Sequence, residues 1–309
     1  MQDYPRTLLE LERRFGDEDR CGDYLFALRW PDGFVCPRCS GHEAWRTTRG
    51  LWLCRACRMQ VSVMAGTIFQ DSKAPLSVWF RAMWQVTSQK HGISALGLQR
   101  VLGLGSYRSA WAMVHELRRA MVRPGREQLG GVVEVDETYW GAPEAGTIGR
   151  RTLTKALVAV AAEAVPGTDR ATGRVRLARI PDVTRASLHG FIGESIERGS
   201  TVITDGLQAY RSLRGYHHER RVQVAYNAGE EHLLPRVHRV ASLLKRWLMG
   251  THHGAIAHEH LDDYLNEFTF RFNRRTSASR GKLFYCLAQQ AVQVDPAPYD
   301  TLITSARQS

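Results

Sequence analysis

The chain of 309 residues is 43% hydrophobic and 24% charged, with 27 glycines and 11 prolines, which excludes disordered and collagen-like proteins and suggests about two folded domains. Lys and Arg number 42 against 31 Asp and Glu, so the formal charge is +11 and the pI is near 9.7. That surplus favours a polyanionic partner, nucleic acid first and an acidic membrane second. No apolar run approaches the ~18 residues of a spanning helix; the longest candidate, Ala156–Val165, is interrupted by Glu163.

Residues Met1–Arg6 lack the basic-then-apolar layout of a secretory signal. Leu8, Leu9, Leu11 and Phe15, set among Glu and Arg, predict a short amphipathic helix. Six cysteines are too few for a disulfide scaffold and four of them fall in close pairs, so a cytoplasmic, reducing compartment is expected. The pairs are Cys36-Pro37-Arg38-Cys39 and Cys54-Arg55-Ala56-Cys57, fourteen residues apart. Four thiolates on two tight knuckles can close a tetrahedron around zinc. Ala44–Arg46 and Leu51–Leu53 read as hairpin arms turning at Thr47–Gly50, a zinc-ribbon layout. Buried free thiols or two disulfides are the bland alternatives. Arg38, Arg46, Arg49, Arg55 and Arg58 tilt this module toward nucleic acid, although a solvated basic surface would carry the same residues. Cys21 and Cys286 read as ordinary semi-buried thiols.

Three helical patterns follow. Pro75 suits a first turn, and Trp79, Phe80, Met83, Trp84 and Val86 form an apolar stripe ending near His91-Gly92. The second runs from Ile93-Ser94 to Leu102 and stops at Gly103-Leu104-Gly105; the third spans Ser106–Met121. Two helices joined by a short glycine-containing turn match a helix-turn-helix outline with the third pattern as recognition element. Tyr107, Arg108 and Ser109 at its start, with Arg118 in its last turns, are then candidates for DNA contact; a plain packing bundle is the alternative. Pro124-Gly125 reads as a linker.

From Gly131 the texture changes. Val132–Glu137 alternates, with Val133 and Val135 on one face of a strand and Glu134 and Asp136 on the other. Leu157–Ala162, Val175–Ile180, Thr201–Gly206 and Val222–Val224 predict further strands, and Thr184–Glu197 a helix, which together indicate an α/β domain with a mixed sheet. Asp136 and Asp205 at strand ends are hard oxygen donors on rigid elements, as a divalent-metal site needs, though Asp there also forms turns and caps. A helix over about Leu233–Leu248 carries Val237, Val240, Leu244 and Leu248 on one face and His238, Ala241, Ser242 and Lys245 on another. His238 and Lys245 are then about 10.5 Å apart along its axis. Arg236, Arg239 and Arg246 add positive charge to it; taken alone, it reads as a packing helix with a solvated basic face.

In this order the motifs resemble bacterial insertion-sequence transposases that join an N-terminal zinc ribbon to a DDE-type, RNase H-like catalytic domain (the ISXO-two-like group). The resemblance runs from the cysteine pairs and Gly66-Thr67-Ile68-Phe69 through Val135–Gly141 and Thr204-Asp205-Gly206. It continues through Leu243–Arg246 to Phe268–Arg275. It implies an α/β architecture with an N-terminal helical segment at 1–30, the zinc ribbon at 31–65 and a helix-turn-helix region at 66–125. An RNase H-like mixed-sheet catalytic domain at 126–290 and a tail at 291–309 follow. It further implies that Asp136 and Asp205 are the first two catalytic acids. The third acid should lie seven residues before Lys245, where this chain has His238, and the family's usual aromatic three positions later is Ala241. Imidazole suits Mn²⁺ or Zn²⁺ better than Mg²⁺. Glu230 and Glu231 are reserve carboxylates.

The function so implied is binding of terminal inverted repeats, followed by metal-dependent strand cleavage and strand transfer into target DNA. Zn²⁺ would be structural and Mg²⁺ or Mn²⁺ catalytic, held by Asp136, Asp205 and His238. Lys245, Arg236, Arg239 and Arg246 would clamp the DNA backbone, with Arg274 and Arg275 touching DNA or complementing a helix dipole. A dimer or larger assembly on double-stranded DNA, no membrane, no nucleotide cofactor and a nucleoid-associated location complete the expectation. The rivals are a non-enzymatic DNA-binding regulator descended from a transposase, and a nuclease of the same fold without joining activity. Thr251–Gly254 and His258–His260 lack zincin spacing and read as loop and early-helix residues.

Overall fold

The computed structural model describes residues 3–123, 125–141, 154–168, 171–222, 233–254, 256–297, 299 and 302. The chain forms two compact units, residues 1–123 with 276–309, and residues 124–275.

In the first unit, α1 (Leu8–Arg14) and α2 (Glu18–Arg29) precede a small antiparallel sheet of β1 (Ala44–Arg46), β2 (Trp52–Cys54) and β3 (Gln60–Val61). β1 and β2 are the predicted hairpin arms, with Trp45 opposite Leu53. Helices α3 (Leu76–Ser88), α4 (Ala95–Leu102) and α5 (Tyr107–Ala120) fall where the apolar stripes place them. Ser94 and Ser106 cap α4 and α5 by accepting from Gly97 and Ser109 N–H. Gly103 ends α4 at φ 63°, the left-handed conformation that favours glycine.

The second unit is built on one five-stranded sheet. β4 (Val132–Trp140), β5 (Ala156–Ala164) and β6 (Thr172–Ile180) form an antiparallel meander. Helix α6 (Arg185–Ser195) leads to β7 (Thr201–Thr204), parallel to β4, and β8 (His217–Arg220), parallel to β7. The strand order is β6-β5-β4-β7-β8. Helices α7 (Pro235–His252) and α8 (Leu261–Asn273) follow. This mixed sheet is that of an RNase H-like fold. β5 is buried on both faces: Val158, Val160 and Ala162 pack with Val240, Leu244 and Leu265 of α7 and α8, while Ala159 and Ala161 pack with Leu188 and Ile192 of α6. An interior strand that is apolar but for Glu163, near its end and paired with Arg174, is what two covered faces require.

Two expectations change, and one strand is new. The strand expected at Val222–Val224 lies outside the described residues but for Val222, and β8 at His217–Arg220 was not anticipated. β8 is a polar edge strand whose exposed charges resist further pairing, so it shows no apolar alternation. Helix α9 (Arg280–Ala291) belongs to the first unit, although its span was expected in the catalytic domain. The reason is aromatic: Phe284 sits 5.7 Å from Phe80 and 6.0 Å from Phe15, ring centroid to centroid. His252, expected in a loop, ends α7 and is buried against the rings of Trp247 and Tyr264.

Asn273 closes the outer edge of the sheet. Its side chain accepts from the Val175 N–H at 2.7 Å and donates to the Val175 carbonyl at 3.1 Å, pairing the edge of β6 as a further strand would. Asn273→Leu should lower the unfolding free energy of this unit by about 1–3 kcal/mol by leaving the Val175 N–H unpaired, while the Val175 carbonyl keeps the Arg176 guanidinium as a donor at 3.1 Å. Urea denaturation would measure it, and no change in midpoint would contradict the role.

Candidate functional site

Within the ribbon, the sulfurs of Cys36, Cys39, Cys54 and Cys57 all lie within 4.8 Å of one another. Cys36 and Cys57 are 3.5 Å apart, and Cys39 and Cys54 3.6 Å. Zinc–sulfur bonds of ~2.3 Å at the tetrahedral angle put sulfurs ~3.8 Å apart, whereas a disulfide needs ~2.05 Å. The cluster fits a structural Zn²⁺ and the disulfide alternative falls away. Burial opposes ionisation of Cys36, but the backbone N–H groups of Arg38 and Cys39 facing its sulfur outweigh it and bring the thiol down to about 6. Cys21 is a different case: fully buried, it donates to the Phe15 carbonyl at 3.4 Å, and burial pushes it up to about 12. Cys39→Ser should reduce bound zinc from about one per chain to a small fraction. Mass spectrometry under native conditions would read this, and undiminished zinc would refute the assignment.

The second site lies where β4 runs on past the end of β7: Asp205 follows the last residue of β7 as expected, whereas Asp136, expected at a strand end, is the middle residue of β4, which continues paired with β5 to Trp140. Asp136 and Asp205 each sit two residues beyond the last register pair between these strands, Glu134 with Ile203. Both face a pocket of about 470 Å³ that Glu137, Tyr139, Arg221 and His238 also line. His238 enters from the first turns of α7, with Nε2 3.9 Å from Asp136 Oδ2. That separation is too long for a hydrogen bond, and the two groups stand as neighbours on the pocket wall. The His238 side chain is 48% exposed and that of Asp136 19%, so the cluster opens to solvent. The two acids are pre-oriented by backbone: Asp136 Oδ1 accepts from Glu137 N–H at 2.8 Å and Asp205 Oδ1 from Leu207 N–H at 2.9 Å.

Two carboxylates and a phenol in this region escaped the sequence reading. Glu134 is fully buried on the same face of β4 as Asp136. It accepts from the backbone N–H groups of Arg236 and Val237 at 2.7 and 3.1 Å, and from the Arg236 guanidinium at 2.7 Å. Its alternation in register with Asp136 was the available signal. Glu137 accepts from the hydroxyl of buried Tyr210 at 2.9 Å. Burial, followed by the charge of Glu137, raises the Tyr210 phenol far above its ordinary range, so it stays a donor. Nothing in the sequence flags Tyr210. Tyr210→Phe should destabilise the second unit by about 1–3 kcal/mol, because the Glu137 oxygen loses its buried donor; thermal unfolding would check it.

The candidate DNA contacts separate into two groups. Tyr107, Arg108 and Ser109 are exposed at the start of α5, with the Arg108 guanidinium 3.8 Å from the centre of the Tyr299 ring. Arg239, Lys245 and Arg246 are exposed along α7; Lys245 does not line the pocket, and burial of its stem, then nearby Lys155, lowers its pKa. Arg118 and Arg236, by contrast, are corrections. Arg118 is 1% exposed, beside His115, and Arg236 is 7% exposed in its pair with Glu134, so neither can meet a phosphate. Arg274 stacks on Phe270 and donates to its carbonyl, while Arg275 donates to the carbonyls of Thr172, Gly173 and Phe272. Arg274 thus folds back on α8, and Arg275 fastens the end of α8 to β6. In the ribbon, Arg46 is engaged by Asp19 and Asp23, and Arg55 by Glu43. Glu230 and Glu231 lie outside the described residues. Among the described residues no helix is long and apolar enough to cross a membrane.

Comparison with known proteins agrees with this layout. Residues 16–60 match a family model described as the transposase zinc-ribbon domain, and residues 128–273 one described as the ISXO2-like transposase domain. A Halobacterium salinarum protein described as an uncharacterized protein in transposable element ISH50 is 27% identical over 277 residues, covering 84% of this chain and 92% of that protein. With a transposase zinc ribbon followed by the matching catalytic-type domain, the chain belongs to the ISXO2-like, IS1595-type transposase family.

Proposed function

We propose that this transposase binds the terminal inverted repeats of its element as double-stranded DNA, cleaves a strand at each end and joins the freed 3′ ends to target DNA. The observation that carries the reading is the convergence of Asp136, Asp205 and His238 on one solvent-open pocket. Two carboxylates and an imidazole are a donor set for Mn²⁺ or Mg²⁺, with the nitrogen favouring Mn²⁺. Asp136, Asp205 and His238 would hold the divalent cations, which when bound would lower the pKa of a water and offset charge on the scissile phosphate. The residues of the chain hold and orient. Asp136 presents its oxygens from the middle of β4 and Asp205 from just past the end of neighbouring β7, and His238 closes the set from α7. Water attacks the phosphodiester, the bond to the 3′ oxygen breaks and that oxygen takes up a proton; the 3′-hydroxyl then attacks a second phosphodiester. One such bond replaces another, so no nucleotide is consumed.

The exposed Arg239, Lys245 and Arg246 run along α7 from His238, where they can neutralise phosphates flanking the reacting one. Tyr107, Arg108 and Ser109 of α5, with the ribbon, supply end recognition. Joining two ends requires at least two copies on DNA.

The test uses supercoiled plasmid carrying the element's ends. Wild type should nick it with Mn²⁺, and Asp136→Asn or Asp205→Asn should lower the rate at least 100-fold with end binding within about twofold. Parallel loss of binding would contradict the site. His238→Glu should keep or improve Mg²⁺-supported cleavage. Tight binding by a wild type that never nicks would favour the regulator reading, for which His238 in the third position is the one supporting feature. Each of Arg108→Ala, Arg239→Ala and Arg246→Ala should reduce the slope of log affinity against log salt by about one. Unchanged slopes would exclude those arginines.

A further inference from the structure

Glu134 has no part in the chemistry just described, yet it is fully buried near the pocket and bonded through both oxygens. A fully buried carboxylate is retained only where it is paired and hydrogen-bonded, and Glu134 is both. One oxygen takes the backbone N–H groups of Arg236 and Val237, the other the Arg236 guanidinium. Arg236 is gripped from its far side by the carbonyls of Ala171 and Thr168 at 3.1 and 3.0 Å. Helix α7 lacks a side-chain cap of its own, because its N-cap residue is Leu234 and Pro235 follows. The cap therefore comes from the sheet, 102 residues earlier in the chain. A negative charge at that end also complements the helix dipole.

The placement matters for the pocket. Asp136 stands two residues beyond Glu134 on the same face of β4, and His238 is the residue directly after Val237. One carboxylate thus fixes the backbone beside the nitrogen donor relative to the strand that bears the first oxygen donor. Arg236, as its counter-ion, keeps Glu134 turned away from any cation in the pocket.

We propose that the Glu134–Arg236 pair is a positioning device that sets His238 against Asp136 and thereby tunes the divalent-cation affinity of the pocket. This rests on the reading of that pocket as a cation site. A core ion pair with no such role would support folding and leave cation affinity alone.

The experiment is manganese binding to the full-length protein, followed by electron paramagnetic resonance with Mn²⁺ as the probe, in a two-by-two set of Glu134→Gln and His238→Ala. Glu134→Gln keeps the side chain's shape and one carbonyl acceptor but turns an N–H₂ toward the helix N-terminus. It should weaken Mn²⁺ binding about 10-fold or more, the size of effect seen for residues that orient metal ligands. In the His238→Ala background the same change should have no further effect. Hydrogen exchange should quicken in the first turn of α7 and stay slow in β5. Should Glu134→Gln not fold, Arg236→Lys, which retains the charge but not the forked geometry, takes its place with the same cycle. Wild-type affinity in the variant, or equal weakening with and without His238, would overturn the proposal. A wild type that binds manganese no better than Asp136→Asn would instead remove the cation site itself.

Discussion

The second unit depends on how a basic helix is attached to a sheet whose neighbouring surface is acidic. Helix α7 must bury Val237, Val240, Leu244 and Leu248 against the sheet and still hold the rim of the pocket in register. Hydrophobic contact alone is poorly directional. Glu134 supplies direction: three charge-assisted bonds reach the first turn of α7 from one buried carboxylate. Removing either partner of such a pair leaves an uncompensated buried charge, a cost of about 3–5 kcal/mol. That is a large share of the ~5–15 kcal/mol by which domains are stable. The helix is therefore seated at its N-terminal end, the end that carries His238.

The first unit has a different anchor. Its ribbon strands are two or three residues long and could not persist by their own pairing. Four sulfurs in a space suited to one Zn²⁺ give this module its fixed point. Elsewhere in the unit, Phe15, Tyr24, Phe80 and Phe284 form an aromatic cluster that joins α1, α2, α3 and α9. Chain ends far apart in sequence thus share one core.

What could be read from residues alone follows from range. The cysteine pairs, the helical apolar stripes and the apolar run of β5 are local signals, and each element appears where its signal lies. Asp136 and Asp205 were visible because the strands are legible and parallel neighbours bring them together, but that β4 runs on four residues past Asp136 was not. Partner choice over long distances was not visible. Arg236 and Arg239 look alike in the sequence, both basic residues on one helix, yet the first is buried on Glu134 and the second is exposed. Arg274 and Arg275 likewise resemble DNA contacts until Phe270 and the carbonyls of β6 claim them. β8 escaped because an edge strand of His, His, Glu and Arg has no buried face to mark it.

The same seating explains how an imidazole can stand where the family resemblance leads one to expect a carboxylate. Glu134 holds α7 by the main-chain N–H groups of Arg236 and Val237 and by one guanidinium, and none of these bonds involves the side chain at 238. Position 238 is half exposed and faces the pocket rather than the core. Exchanging its side chain therefore costs the helix no cap and the core no packing. The change falls on the donor atom offered to a cation, nitrogen in place of oxygen, and so on which divalent ions suit the proposed site. Separating the scaffold from the donor in this way lets metal preference change at one residue while the fold is untouched.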